Sequence, residues 1–345
     1  MSQVGLKSTV NINSTGSTLI GMAEVNPEVV SEDLRLITKT ARLYYEHNLS
    51  QPEISKKLHI SQSRVSRLLK KATQIGIVQT TVISSSAIYA PLEDFLESKF
   101  GLSEVIIVDA TDLETESNLH SALGLAAANY LDVTLTGGDT IGISSWSSSL
   151  LATVNAMRPK LNQVANQVVQ VIGGIGESNA QSHAIRLTNR LAEVTGAKAL
   201  YLAAPGIVET REMQKSLVAN SNISEILRLT GNLSLLLVGI GSIEPSKLLK
   251  ESGFTLKASE KSELVKAGAV GDVCLRYFDT KGKSVNCSVD KKIIGISQEA
   301  IFNTPRRLAV AGGNRKFKAI HAALLGGWIN VLVTDSKTAQ KLANL

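Results

Sequence analysis

Eight short apolar runs constrain the fold of this chain more than any other feature of its sequence. Most of them are followed by small residues and then by a segment of helical character. Near-continuous apolar strands that alternate with helices are typical of a mostly parallel sheet covered on both faces. The sequence therefore predicts an α/β domain over this region. The runs are EVIIVDA, DTIGISS, QVVQVIGG, AKALYLAAPG, LSLLLVGIGS, KIIGIS, RLAVAGG and NVLVTD.

Small, flexible residues follow several of these predicted strands. Open α/β sheets bind ligands outside the carboxyl ends of their strands, where small residues let backbone N–H groups and helix N-termini approach a phosphate or a polyol. A tight turn explains any single glycine equally well, so the prediction of a ligand site depends on the repetition. The segments are Ser144–Ser149, Gly173-Gly174, Pro205-Gly206, Gly239–Ser242 and Gly312-Gly313.

These glycine-rich segments do not complete a nucleotide-binding motif. Gly-Gly-Ile-Gly at 173–176 and Gly-Ile-Gly at 239–241 lack the full G-x-G-x-x-G pattern with an acidic residue about 20 positions later, and no Walker A loop is present. The two cysteines, Cys274 and Cys287, fit neither a disulfide framework nor a metal cluster, and we expect reduced thiols. The sequence therefore predicts no cofactor and no bound metal.

Positive charge is concentrated in one short stretch, residues 50–72. The whole chain has a net charge of +6, and this stretch carries six lysines and arginines against the single acid Glu53. Localised positive charge on a helix is typical of a surface that binds nucleic-acid phosphates. A pair of helices with a solvated basic face is the alternative. The six residues are Lys56, Lys57, Arg64, Arg67, Lys70 and Lys71.

The same stretch carries the start signals of two short helices. Ser50, Pro52 and Glu53 predict a helix start with a capping box, and Ser61 predicts the cap of a second helix after a tight turn. Two short helices joined in this way are typical of a helix-turn-helix, whose second helix enters the DNA major groove. The alternating segment IVQTTVIS, which follows Gly76, predicts the strand of a wing.

The position of each residue in this predicted helix-turn-helix decides its expected contact. Gln62, Ser63 and Arg64 lie in the first turn of the second helix, so we expect them near base edges, with the other basic side chains near phosphates. The predicted DNA-binding residues are Lys56, Lys57, Ser61, Gln62, Ser63, Arg64, Arg67, Lys70 and Lys71.

Changes in composition along the chain predict its domain boundaries. Residues 1–32 are polar and without a clean period, which predicts a flexible tail, and a helical pattern begins at about Asp33. We assign residues 33–83 to a winged helix-turn-helix, 84–90 to a linker and 91–345 to an effector-binding and oligomerisation domain. No apolar run approaches the roughly 20 residues of a membrane span, and no convincing signal peptide is present, so we expect a cytoplasmic protein.

Seven segments between residues 35 and 345 carry a family resemblance. They are ARLYYEHNLSQPEISKKLHISQSRVSRLLKKATQIGIV, GDTIGISSWSSSLL, VIGGIG, LAAPGIV, LLLVGIGS, KAGAVGDVCLRYFDTKG and LAVAGGNRKFKAIHAALLGGWINVLVTD. In this combination the chain resembles the SorC family of bacterial transcriptional regulators. The resemblance implies a winged helix-turn-helix and an effector domain similar in fold to ribose-5-phosphate isomerase and glucosamine-6-phosphate deaminase. It also implies a tetramer that responds to sugars or phosphorylated sugars.

The resemblance also implies particular effector-binding residues. The family's Trp-Gly-x-Thr-Leu loop aligns with residues 146–150, where Ser147 replaces the glycine and Ser149 replaces the threonine. Asp272 matches an acidic residue near the ligand, and Lys316 matches a lysine that contacts the effector; a loop cap and a surface lysine are the alternatives. Together with the glycines at strand ends, the predicted effector-binding residues are Ser147, Ser148, Ser149, Gly173, Gly174, Gly241, Asp272 and Lys316.

Two classes of function remain open from the sequence. The first is a sequence-specific DNA-binding regulator, expected to be the repressor of a carbohydrate-utilisation operon, that is controlled by a sugar, a polyol or a sugar phosphate. The second is a sugar-phosphate isomerase or deaminase fused to a DNA-binding segment. Fold does not transfer function, and the sequence offers no convincing pair of catalytic acid and base. We therefore expect no enzymatic activity. The expected partners are operator DNA, a small effector and further copies of this chain.

Overall fold

The computed structural model describes residues 10–12, 27–80, 89–111, 113, 115–160, 162–174, 178–244 and 256–345. The chain divides into two compact units, Met1–Ser85 and Ser86–Leu345. The boundary lies inside the predicted linker region, residues 84–90. Most of that linker falls outside the described residues.

The first unit is built from three helices that pack around a small apolar core. Helix α3 packs against both α1 and α2, and the buried side chains include Ile37 from α1, Ile54 from α2 and Val65 from α3. A two-stranded antiparallel ladder completes this unit. In chain order its elements are β1 (Val10–Ile12), α1 (Pro27–Tyr45), α2 (Gln51–Leu58), α3 (Gln62–Gln74) and β2 (Val78–Thr80).

The caps predicted from the sequence define the turn between α2 and α3. The Glu53 carboxylate accepts the backbone N–H of Ser50 at 2.8 Å, which fixes the start of α2. His59 ends this helix in the left-handed conformation, with φ of 52°. The Ser61 hydroxyl then accepts the backbone N–H of Arg64 at 3.3 Å and starts α3. The helix-turn-helix predicted from residues 50–72 is therefore present.

Two features of this unit differ from the sequence prediction. Helix α1 begins at Pro27, upstream of the expected start near Asp33, because proline suits a first helical turn even where no apolar period is visible. Within the predicted tail, Val10–Ile12 forms a strand that pairs with β2. The first part of the predicted wing is thus a strand, and its described partner comes from the N-terminal segment. The rest of the wing, residues 81–83, lies outside the described residues.

The second unit contains a seven-stranded sheet in which every pairing is parallel. Seven of the eight predicted runs form its strands, which confirms the mostly parallel α/β architecture. The spatial order is β3-β12-β11-β7-β4-β5-β6. The strands are β3 (Glu104–Val108), β4 (Asp139–Ile143), β5 (Ala165–Gln170), β6 (Lys198–Leu200), β7 (Leu235–Val238), β11 (Arg306–Val310) and β12 (Val331–Asp335).

Helices cover both faces of this sheet, and two separate apolar clusters fill the spaces beneath them. Successive side chains of a strand point to opposite faces, so Leu236 and Val238 belong to one cluster while Leu235 and Leu237 belong to the other. The helices are α4 (Ala90–Phe100), α5 (Glu116–Thr134), α6 (Ser148–Ala156), α7 (Ser178–Thr195), α8 (Arg211–Val218), α9 (Ser221–Leu229), α10 (Ala258–Lys266), α11 (Gln298–Asn303), α12 (Phe317–Leu325) and α13 (Ser336–Ala343). None of the described helices is both long and apolar enough to cross a membrane.

The eighth predicted run, KIIGIS at residues 292–297, is not a strand of the sheet. Its isoleucines are buried, but the segment makes only isolated bridges, from Ile293 to Ile207 and from Gly295 to Ile172. The Arg276 guanidinium satisfies the Ile296 carbonyl at 3.0 Å. A short apolar run can therefore be buried without joining a ladder when side chains and bridges satisfy its backbone.

A small antiparallel sheet follows β7 almost immediately. Its spatial order is β10-β9-β8, and its strands are β8 (Gly241–Ser242), β9 (Ala269–Val273) and β10 (Arg276–Asp279). The pairing places Gly241 directly opposite Asp272. This sheet therefore brings Asp272 close to the carboxyl end of β7, where a ligand site is expected.

Candidate DNA-binding and effector-binding sites

The nine residues predicted to bind DNA are all exposed on α2, on α3 or at the α3 cap. The opposite side of α3 is buried through Val65, Leu68, Leu69 and Ala72. Helix α3 therefore has one face in the core and one face, with the predicted residues, in solvent. The exposed residues are Lys56, Lys57, Ser61, Gln62, Ser63, Arg64, Arg67, Lys70 and Lys71.

The cationic side chains of this surface form no close ion pair with the described residues, although Glu53 interacts electrostatically with Lys56. Among the described residues, no ion pair or side-chain hydrogen bond engages any of the six lysines and arginines of α2 and α3. The hydroxyls of Ser61 and Ser63, in contrast, bond to each other at 3.0 Å. Side chains such as Gln62 and Arg64 are thus the ones left to reach outward from the first turn. A helix that starts with free polar side chains and continues with unpaired cations is suited to the DNA major groove.

In the second unit, the predicted effector loops lie side by side at the carboxyl ends of the central strands. The sheet order changes direction between β4 and β7, since β4 leads on to β5 and β6 while β7 leads to strands on the other side. Such a switch point is where open α/β sheets bind ligands. The two loops are close: a Cβ built on Gly239 would lie 2.9 Å from the Ser147 Oγ.

Ser147 caps the helix that starts at this switch point. Its Oγ accepts the backbone N–H of Leu150 at 3.3 Å, and the side chain is buried. Ser149 is also buried, with 2% of its surface exposed, and Ser148 is half-buried. The N–H groups of Ser148 and Ser149, in the first turn of α6, have no acceptor among the described residues, as is usual at a helix start. This end of α6 is therefore able to receive an anion.

Asp272 lies beside these loops and is held by a strained turn. Cys274 and Leu275 connect β9 to β10 with φ values of 54° and 62°, a left-handed conformation that costs non-glycine residues roughly 1–2 kcal/mol each. The Asp272 carboxylate accepts the Leu275 N–H at 2.9 Å and so stabilises the turn. A Cβ built on Gly241 would lie 1.9 Å from the Asp272 Oδ1, so no side chain fits between the two strands.

Asp272 and Lys316 interact electrostatically across this site, although they form no direct ion pair within 4 Å. Burial raises the pKa of the Asp272 carboxyl to about 6, while the Leu275 N–H and the Lys316 ammonium oppose the rise. Burial also lowers the pKa of Lys316 to about 8, with Arg315 adding to the effect and Asp272 and Glu116 opposing it. Both groups are thus poorly solvated, and both are charged near neutral pH.

Lys316 ends a single 3-10 turn, Asn314–Lys316, that follows the glycines after β11. The Asp335 carboxylate accepts the Gly313 N–H at 2.7 Å and anchors this loop to the start of α13. The neighbouring Arg315 donates to the Ser242 hydroxyl at 3.1 Å, which joins the loop to β8. The geometry therefore brings the loops of Ser147, Gly241, Asp272 and Lys316 to the same end of the sheet, and their role in effector binding stays a prediction.

Gly173 and Gly174 do not supply the free N–H groups that the sequence suggested. The Gly173 N–H donates to the Ile294 carbonyl at 3.0 Å, and the Gly174 N–H donates to the Ala204 carbonyl at 2.8 Å. A Cβ on Gly173 would lie 2.5 Å from the Ala204 oxygen. Their small size is needed for this close packing of backbones, and their N–H groups are already satisfied.

Sequence reasoning missed two polar groups at the end of β4. The Ser145 Oγ and the Trp146 Nε1 are buried and have no hydrogen-bond partner among the described residues. Buried polar groups in proteins are nearly always paired, so two neighbouring polar groups without a partner indicate a missing ligand or water. The run of small residues at 144–149 indicated a loop there, but no sequence signal distinguishes a paired hydroxyl from an unpaired one.

The described residues contain no cluster of histidine, cysteine and acidic side chains that could hold a metal ion. Cys274 and Cys287 are both buried as free thiols. Burial raises the pKa of each thiol, so neither cysteine has the character of a reactive thiolate.

Comparison with known proteins agrees with this division into two units. Residues 88–344 match the family described as "Putative sugar-binding domain", and residues 42–74, which include α2 and α3, match "Sigma-70, region 4". The deoxyribonucleoside regulator of Bacillus subtilis (strain 168) is 32% identical over 314 residues, which cover 91% of this chain and 98% of that protein. The sorbitol operon regulator of Klebsiella pneumoniae is 31% identical over 315 residues and covers 90% of this chain and 98% of its own length.

A solved structure also resembles this chain over most of its length. The crystal structure of the full-length sorbitol operon regulator SorC from Klebsiella pneumoniae matches with a TM-score of 0.75 at 29% identity, covering 90% of this chain and 99% of that chain. Because the sugar-binding family model spans most of the chain and the relatives align with nearly all of it, this protein belongs to the SorC family of DNA-binding, sugar-responsive transcriptional regulators.

Proposed function

We propose that this protein is the repressor of a carbohydrate-utilisation operon and is controlled by a small sugar, polyol or sugar phosphate bound at the switch point of its parallel sheet. The observation that carries the proposal is the buried Ser145 hydroxyl, which has no partner among the described residues and lies next to the free N-terminus of α6. A polar ligand at this position would satisfy both. Two relatives have names that refer to sorbitol and deoxyribonucleosides, which agrees with a small, polar effector.

The chemistry of the site suggests how such a ligand is oriented. A phosphate or a terminal hydroxyl would meet the N–H groups of Ser148 and Ser149 and the Ser149 hydroxyl, and the Lys316 ammonium would pair with the phosphate as a point charge. The Asp272 carboxylate would accept hydrogen bonds from sugar hydroxyls. Gly241 would leave room for Asp272, while Gly173 and Gly174 would shape the wall of the site rather than donate to the ligand.

On the DNA side, we propose that α3 is the recognition helix. Gln62, Ser63 and Arg64 would face base edges in the major groove, and Ser61 would cap the helix at the DNA surface. The remaining cations would contact phosphates and supply the salt-dependent part of the affinity. Their exposure, and the absence of close ion pairs to them among the described residues, support these roles. The cations are Lys56, Lys57, Arg67, Lys70 and Lys71.

We further propose that the protein works in the cytoplasm as a homo-oligomer, a tetramer by family resemblance, and that it does not turn its ligand over. The relatives are regulators, which supports a ligand-binding role for this site. Ligand would shift the population of effector-domain arrangements and so change the spacing of the DNA-binding units. Light scattering measures the oligomeric state, and an isomerisation assay with sugar phosphates tests for turnover.

A thermal-shift screen against free and phosphorylated sugars and polyols tests the effector site. A ligand that binds only the folded state raises the melting temperature. At a concentration of one hundred times its Kd, it raises the free energy of unfolding by about 2.7 kcal/mol. The expected result is a shift with one class of compound that is lost in Ser149→Ala and kept in Lys215→Gln, which alters an exposed lysine on α8. No shift across the panel, or a shift that Ser149→Ala leaves intact, would contradict the site. Release of operator DNA by the same compound in a gel shift would establish repression.

A further inference from the structure

A cavity opens at the carboxyl ends of β3, β12 and β11, beside the loop that carries Lys316. Its volume is about 420 Å³, within the usual range for small-molecule sites. It is lined by the loop after β3, by the first turns of α5 and α13 and by residues 312–316. Lys316 and the Gly312-Gly313 segment line this cavity, whereas Ser147, Gly241 and Asp272 do not, so the cavity adjoins the site at Ser147 and Asp272 without coinciding with it.

The lining of this cavity carries more positive than negative charge. Among the described residues, four cations surround it, together with His120, against the two acids Glu116 and Asp335. Lys337 and Lys341 lie four residues apart, and both are exposed on α13. The four cations are Arg315, Lys316, Lys337 and Lys341.

The two acids do not neutralise this positive charge. Asp335 is buried, and its carboxylate accepts the Gly313 N–H at 2.7 Å, the Thr338 N–H at 2.9 Å and the Thr338 hydroxyl at 2.6 Å. Glu116 is largely exposed and lies 3.5 Å from the Arg315 guanidinium. Asp335 is therefore committed to the loop and Glu116 to one cation. Asp109, which is not part of the lining, interacts electrostatically with Lys337, but among the described residues Lys341 has no carboxylate within ion-pair distance.

Lys341 of α13 is held in place by groups that carry no negative charge. The Lys341 ammonium donates to the neutral Asn314 Oδ1 at 2.6 Å and lies 6.0 Å from the centre of the Phe317 ring. The positive field extends to His120 on α5: burial lowers the pKa of this imidazole, and Lys316 and Arg315 add to the effect. Cations that are positioned but not paired with carboxylates are the expected surroundings of an anion.

We propose that this α5–α13 cavity is a second ligand site, and that its ligand is a small phosphate monoester of a polyol or a sugar. The cavity has room for a compound of that size in addition to its phosphate. Lys337 and Lys341 bind the phosphate from one side, and residues 312–316 close the other. The site is separate from the effector site proposed above and does not depend on it, although both sites border the loop that ends at Lys316.

Equilibrium dialysis with radiolabelled glycerol 3-phosphate and full-length protein, at fixed ionic strength, tests this site. The variant with Lys337→Gln and Lys341→Gln removes two charges that lie outside the effector site. A control with Lys215→Gln and Lys266→Gln removes the same charge from exposed lysines elsewhere in the second unit. A third protein, Ser149→Ala, alters only the effector loop. Melting curves verify that each variant is folded, and Lys337→Gln alone is the substitute should the double variant fail.

The expected result is one binding event that survives in the control and in Ser149→Ala but weakens in the Lys337/Lys341 variant. Because a hydrogen bond to a charged group contributes roughly 1.5–3 kcal/mol, we expect the Kd to rise about tenfold or more. Equal binding by the Lys337/Lys341 variant and the control would overturn the proposal. So would binding that only Ser149→Ala removes, which would assign the phosphate to the effector site, and so would the absence of binding to the unaltered protein.

Discussion

Replacing the Asp272 carboxylate by an amide is expected to stabilise the second unit while it weakens effector binding. Asp272 lies at the proposed effector site, where burial raises its pKa from 3.8 to about 6. The folded protein therefore binds this proton more tightly than the unfolded chain does. Stability is then lost as pH rises from about 4 to about 6, and the loss persists at higher pH. Asp272→Asn removes the ionisation and with it this loss.

The size of the effect follows from the pKa. The rise from 3.8 to about 6 is close to two pKa units, and each unit corresponds to about 1.4 kcal/mol. Asp272→Asn should therefore raise the free energy of unfolding by about 3 kcal/mol at about pH 7.5 but by only about 1 kcal/mol at about pH 4.5. The asparagine side-chain oxygen can still accept the Leu275 N–H, so the turn between β9 and β10 should be retained.

Urea unfolding followed by tryptophan fluorescence measures this difference. Both tryptophans of the chain, Trp146 and Trp328, belong to the second unit, so the signal reports that unit alone. The two proteins are compared at both pH values, and effector affinity is measured in parallel by calorimetry. A gain in stability of equal size at both pH values, or a loss at neutral pH, would refute the account of Asp272 as a poorly solvated charge. Unchanged effector affinity would contradict the proposed contact between Asp272 and the effector.

Three further substitutions test the two sites. Arg64→Ala should cost roughly 1–3 kcal/mol in operator binding, as for a guanine contact; an unchanged operator preference in a competition gel shift would contradict this role. Lys71→Ala should reduce the slope of log affinity against log salt concentration by about one, the contribution of one phosphate contact, whereas Lys266→Ala should leave this slope unchanged. Ser147→Gly should lower stability by only a few tenths of a kcal/mol, since glycine is a tolerable cap. It should also favour phosphorylated over free sugars in calorimetry by opening space next to Gly239.

The sequence predicts most of this fold because its signals are local and redundant. Ser50, Glu53 and Ser61 define the helix starts of the first unit through short-range hydrogen bonds, so their spacing alone predicts the helix-turn-helix. Seven apolar runs form the parallel sheet for a similar reason, since a strand buried on both faces must be apolar throughout. The run at 292–297 shows the limit of this signal: burial is visible in the sequence, but membership of a ladder is not.

The candidate effector site is less predictable because it depends on the pairing of individual polar atoms. Sequence reasoning and family resemblance place Ser147, Asp272 and Lys316 together, and the structure brings their loops to one end of the sheet. The sequence also suggests that Gly173 donates its N–H to the ligand, whereas the structure shows this N–H donating to the Ile294 carbonyl. Conversely, the unpaired Ser145 hydroxyl is visible only once the neighbours of β4 are known. Hydrogen-bond satisfaction is a tertiary property that no local pattern encodes.

The departure from the family loop at Ser147 has a structural explanation that also bears on ligand choice. The family's glycine would leave the first turn of α6 without a side-chain cap, whereas Ser147 accepts the Leu150 N–H and becomes part of the helix start. The same hydroxyl fills space against Gly239, where a larger residue on either side would collide. This chain thus gains a more rigid helix N-terminus and gives up part of the cleft above it. The N–H groups of Ser148 and Ser149 still have no acceptor among the described residues, so we expect Ser147 to narrow the range of ligands while this end of the helix keeps the capacity to receive an anion.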